Sequence, residues 1–108
     1  MKTIPNEFKL SINVLESDID EGIRFDCDNC PIARAVKRAF MDEFGPVDDL
    51  DSSVDGGGIK LFWYDEAHRL QVADGVQTDK CAEFIGWFDD GHVVQPFQEE
   101  ISFSRILF

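Results

Sequence analysis

The chain has 108 residues, 44% of them hydrophobic, and its 10 Phe are ample for a core. That length fits one domain over residues 1–108, and the aromatic content excludes wholesale disorder. Asp and Glu number 22 against 10 Lys and Arg, a net charge of -12. This excludes direct nucleic-acid binding, which needs cations against phosphates, and attraction to anionic membranes.

Residues 1–7 hold no apolar run of the about 7–15 residues that a signal peptide needs. No window approaches the roughly 18 apolar residues of a membrane span. The chain is therefore expected to be cytoplasmic. Its three cysteines, Cys27, Cys30 and Cys81, are an odd number and a poor disulfide framework. Cytoplasmic thiols are kept reduced.

Phe8, Leu10, Ile12 and Val14 recur with period 2 and predict a half-buried strand over 8–15. Residues 17–22 read as a capped helical turn closed by Gly22, followed by irregular chain to Asp28. A helix starts near Asn29 or Cys30, with Pro31 in its first turn, where no N–H is needed. Ile32, Val36, Phe40 and Phe44 form its apolar stripe. Arg34, Lys37, Arg38 and Met41 lie on the other face, and Gly45-Pro46 ends it.

Residues 47–58, acidic and Gly-rich, read mostly as a loop with at most a short edge strand. Residues 59–64 predict a strong aromatic strand. Asp65-Glu66-Ala67-His68 turns the chain into a partner strand over 69–73, ended by Asp74-Gly75. Thr78 caps a helix over 79–90, with Cys81, Phe84, Ile85 and Phe88 as its stripe and Gly91 as its stop. Residues 97–108 predict the last strand, with Ile101, Phe103, Arg105 and Leu107 on one face.

This order predicts an α+β, two-layer fold: a mainly antiparallel sheet of four to five strands with two helices on one face. Ile59, Leu61 and Trp63 point one way from their strand, Phe62 and Tyr64 the other. The second apolar face must then be covered by loops or by another molecule.

Motifs for chemistry are weak. Cys27-Asp28-Asn29-Cys30 is a C-x-x-C at a helix start, where the dipole lowers a thiol pKa, but the redox reading wants a βαβ context that is absent. A zinc site at Cys27, Cys30 and Cys81, completed by His68 or His92, lacks a second close-spaced pair; the thiols read as structural. The segment opening at Asp51 resembles the start of an EF-hand loop, yet Phe62 stands where the bidentate Glu belongs. There is no P-loop, no G-x-S-x-G and no Gly-rich turn opening a helix. Neither an enzyme nor a cofactor is expected.

The acids are placed unevenly. Glu16, Asp18, Asp20, Glu21, Asp26 and Asp28 cluster before the first long helix. Asp42, Glu43, Asp48, Asp49, Asp51 and Asp55 cluster after it. Two acidic surfaces with a basic strip between them (Arg34, Lys37, Arg38) are expected. Such surfaces suit a basic, nucleic-acid-binding protein groove, with steered association weakened by salt. Trp87, about 40° around its helix from Glu83, is a candidate anchor.

Two segments carry a resemblance: Asp26-Cys27-x-x-Cys30-Pro31-Ile32-Ala33-x-Ala35, and Phe84-Ile85-x-x-Phe88-Asp89-x-Gly91-x-x-Val94-x-Pro96-Phe97. Together they resemble small uncharacterised acidic proteins of bacteriophages and prophages. No catalytic residue carries over. The resemblance implies a phage origin, hence the host cytoplasm. It also implies a place among small acidic phage proteins, which are frequently inhibitors of host nucleic-acid machinery or defence, DNA mimics included.

The expected function is thus inhibition of a host restriction or CRISPR effector, with a host protein bearing a basic nucleic-acid-binding surface as partner. The expected contacts are Asp18, Asp20, Glu21, Asp26, Asp28, Asp48, Asp49, Asp51, Asp55 and Trp87. The alternatives are a homodimeric accessory protein using the uncovered sheet face, broken by Trp63→Asp, and the small zinc protein.

Overall fold

Period-2 alternation puts Phe8, Leu10, Ile12 and Val14 on the buried side of β1 (Glu7–Val14), with polar residues between them in solvent. The computed structural model describes residues 3–56 and 58–106. After β1 come α1 (Glu16–Glu21), α2 (Pro31–Phe44), β2 (Asp48–Asp55), β3 (Gly58–Tyr64), β4 (Leu70–Gly75), α3 (Asp79–Asp89) and β5 (Phe97–Ile106). The strands form one antiparallel sheet in the order β1-β5-β4-β3-β2. β2, β3 and β4 follow as a meander. α3 then carries the chain across, so that β5 enters between β4 and β1. The expected α+β class and the two helices packed on the sheet are both present.

α2 begins where the sequence places it. The Cys30 sulfur accepts from the Ala33 N–H at 3.4 Å, Pro31 fills the first turn, and Gly45 closes the end with φ 84°. Its stripe, Ile32, Val36, Phe40 and Phe44, is buried against the sheet. Each such side chain contributes roughly 1.5–3 kcal/mol by leaving water. Phe8 stacks on Phe103 at 5.3 Å between ring centroids, meets Phe44 edge-on at 5.2 Å, and Phe40 leans on Trp63 at 4.9 Å. α3 joins the same core through Cys81, Phe84 and Phe88. Its N-cap Thr78 accepts from the Cys81 N–H and donates to Glu99 on β5 at 2.8 Å. Arg105, on the buried side of β5 as expected, donates to the Ile4 carbonyl and lies over the Trp63 ring.

Several expectations need correction. Residues 48–55 are a full strand, not a loop: acids are tolerated there because β2 is an edge strand with one open side. The Asp51 segment is therefore no EF-hand loop; Asp51 sits opposite Phe62 in the ladder. Asp74 and Gly75 continue β4 instead of ending it, because Gly75 lies against Phe103 and a Cβ there would come within 2.5 Å of that ring. Leu107 lies outside the described residues. Trp63 is 2% exposed and belongs to the core, so Trp63→Asp would unfold the monomer and cannot report on a dimer.

Candidate protein-binding surfaces

The first acidic cluster is largely spent on the fold. Asp18 is 0% exposed. Its carboxylate accepts from the Leu15 N–H at 2.8 Å and from both terminal nitrogens of Arg38, at 2.9 and 2.5 Å. Arg34 lies 3.6 Å away and also pairs with Glu21. Burial by itself would push the Asp18 carboxyl up. The hydrogen bonds from Arg38 and Leu15, with the charges of Arg38 and Arg34, outweigh burial and hold it below the ordinary carboxylate range. Asp18 is thus no part of an acidic surface, which corrects the expectation. Asp26 turns back into its own loop, accepting from the Asp28 and Asn29 N–H groups and the Asn29 amide. Those bonds, led by that from Asp28, lower its pKa. Asp20 and Asp28 remain exposed at the surface.

The basic strip of α2 is equally engaged. Arg34 and Arg38 face α1, while Lys37 reaches Asp51 of β2 at 4.0 Å. It tethers the two acidic regions to opposite flanks of α2 and offers no separate basic surface.

The second cluster lies along β2. Asp48 and Asp49 have no cation within ion-pair range among the described residues. The row is built by the ladder: Ser52 and Val54 point into the core, so Asp51 and Asp55 point outward. A β-bulge between Asp48 and Asp51 places Asp49 at φ 50°, a conformation that Asp tolerates better than most residues. The open edge is partly closed. The Val54 N–H donates to the Cys27 carbonyl and the Ser52 N–H to the Asp51 carboxylate. Strand addition is thereby discouraged, while the carboxylates still project.

Beside this row, the outer face of the sheet carries an apolar patch, bounded by Lys60 and Asp74 on the same face. Phe62 pairs with Val72, Tyr64 with Leu70, and Val72 with Ile106. Tyr64, Leu70 and Ile106 are exposed. Asp51 stands opposite Phe62 and Asp48 opposite Tyr64, so carboxylates border the apolar patch directly. A shallow cavity of about 480 Å³ at this corner is lined by Asp48, Asp49, Tyr64 and His68. The sequence signalled this patch through the apolar residues on both faces of β3. It did not signal its partners on β4 and β5.

Trp87 does not join these acids. Ala82, Ile85, Gly86 and Asp89 face the β2 end of the molecule, around a cavity shared with Asp55. Trp87 points from the opposite side of α3, with Lys80, Glu83 and Phe84. The thiols do not converge either. Cys30 and Cys81 are buried, Cys27 is exposed, and all three are free. Burial raises the Cys30 and Cys81 pKa values, Cys30 in spite of its place at a helix start. No group of three His, Cys, Asp or Glu able to hold a metal ion occurs among the described residues. No described helix is long and apolar enough to cross a membrane. No family model, curated protein or solved structure matches the chain.

Proposed function

We propose that this chain is a non-enzymatic protein-binding module that docks the outer face of its sheet on a basic surface of a nucleic-acid-handling protein and so inhibits it. The observation that carries this reading is the adjacency of the carboxylate row on β2 to the patch of Phe62, Tyr64, Leu70, Val72 and Ile106. An apolar centre with a charged rim is the anatomy of a protein interface. The four acids of β2 run along roughly 20 Å of strand. That is sparser than the charge per about 1.7 Å of a DNA duplex. The row therefore imitates the sign of nucleic acid more than its density, and the apolar patch supplies the remaining affinity. The resemblance to small phage proteins supports a host defence or nucleic-acid enzyme, such as a restriction or CRISPR effector, as the target.

A homodimer through the same patch is the second reading. Two copies meeting on it would bring like-charged rows close together, which costs binding energy. Charge thus favours a basic partner.

Competition tests the proposal. The protein displaces DNA or RNA from its target, with affinity falling steeply as salt rises. Asp48→Lys with Asp51→Lys and Asp49→Asn abolishes displacement; Asn is used at 49 because of the positive φ. Displacement unaffected by these changes ends the proposal. Sedimentation of the wild type and Tyr64→Asp separates the dimer: a tight dimer broken by that change favours the second reading.

A further inference from the structure

A second groove lies away from the sheet face, between α3 and the segment that follows it. Gly91, with φ 84°, turns the chain, and the His92 N–H donates to the Trp87 carbonyl at 2.9 Å. The chain then returns through residues 93–96 to β5. The cavity between, about 350 Å³, is lined by Phe84, Trp87, Val93, Val94, Pro96 and Phe97, with Lys80, Glu83 and Gln95 at its rim. That volume is at the small end of ligand sites and fits one large side chain. Trp87 is 50% exposed and Val93 89% exposed, so the groove is lined by apolar surface that the fold leaves in water.

Two further features define what would fill it. The backbone N–H and C=O groups of Val93, Val94 and Gln95 have no hydrogen-bond partner among the described residues. An apolar wall beside open main-chain groups suits a peptide in extended form, whose backbone can bond while one side chain enters the cavity. Charge sets the flanks. The Lys80 ammonium is engaged by the Phe97 ring at 5.3 Å and the Gln98 carbonyl. Glu83 at the rim has no ion-pair partner among the described residues, and the whole chain carries -12.

We propose that the groove between α3 and residues 93–96 binds an extended peptide segment of a protein partner, one large apolar side chain seated against Trp87 and a basic residue beside it facing Glu83. This proposal is independent of the one for the sheet face, since the two surfaces share no residue.

Trp87 supplies the readout, because Trp63 is buried and shielded from quenchers. The full-length protein is titrated with three short synthetic peptides sharing a central Leu-Phe pair and flanked by Arg, Ser or Glu. The Arg-flanked peptide is expected to shift Trp87 emission to the blue and protect it from acrylamide. It should bind about tenfold more tightly than the Glu-flanked one, as one well-placed charge contact allows. Glu83→Arg should erase that preference. Val93→Asp should abolish binding while leaving the circular dichroism spectrum unchanged, since Val93 is solvent-exposed. Asp48→Lys with Asp51→Lys should leave peptide binding intact, which separates this groove from the sheet face. The proposal is overturned if no peptide moves Trp87 emission, if the three bind equally, or if Val93→Asp binds like wild type. Saturation by dodecanoate in place of the peptides, lost in Lys80→Ala, would also overturn it and assign the groove to apolar carboxylates.

Discussion

The two acidic regions look alike in sequence and do opposite work. Before α2, Asp18 is buried under two arginines, Glu21 holds one of them, and Asp26 closes a turn. After it, Asp48 and Asp49 project from a sheet edge that needs neither for its register. What separates them is the neighbour. α1 lies against the basic face of α2, so its carboxylates are consumed. Among the described residues the one ion pair between β2 and that face is Lys37 with Asp51, and Asp48 and Asp49 are left for solvent or a partner. Local charge in a sequence is therefore a poor guide to a charged surface until its intramolecular cations are assigned.

The contrast is broken most sharply at Arg38. Arg38→Ala leaves the buried Asp18 carboxylate with the Leu15 N–H and a single cation, Arg34, and costs about 3 kcal/mol in urea unfolding, the low end for stripping a buried ion pair, since the Arg38 side chain is itself 37% exposed. The same pair predicts acid sensitivity. The folded-state pKa of Asp18 lies below its ordinary 3.8, so the pair's stabilisation is complete above that value and disappears as pH falls through the folded pKa. In Arg38→Ala the acid loss should begin at higher pH; an unchanged acid midpoint would show that Asp18 is not held by Arg38. Asp26→Ala should destabilise less than Arg38→Ala, because its bonds are local to one turn.

Smaller effects are expected in β2. Ser52 is fully buried and its hydroxyl has no hydrogen-bond partner among the described residues. Ser52→Ala should thus stabilise the protein by up to about 1 kcal/mol, as removal of an unsatisfied polar group does. Asp48→Lys should change stability by no more than about 0.5 kcal/mol, the usual range for a surface site. A large loss there would make the second region structural like the first and remove the contrast.

Much of the fold was legible because its signals are local. Alternation marked β1, Pro31 and the four-residue stripe marked α2, and Thr78 with Gly91 bracketed α3. β2 was missed because Asp, Ser and Gly are poor strand formers. Val54 pairing with Ile59, and Ser52 with Leu61, overrode that preference. The candidate surfaces were legible only in part. The acids of β2 and the outward Phe62 and Tyr64 could be named, but not their adjacency. Helical spacing marks Trp87, whereas its groove depends on residues 93–96, which carry no periodic signal.

Composition and spacing along single elements set the class of fold, the ends of α2 and α3 and the sign of the molecule's charge. Packing settles which charges stay exposed, which apolar residues share a surface, and which face of β3 is buried. Those properties belong to pairs of residues far apart in the chain, Asp18 with Arg38 or Val72 with Ile106, brought together by packing and strand order.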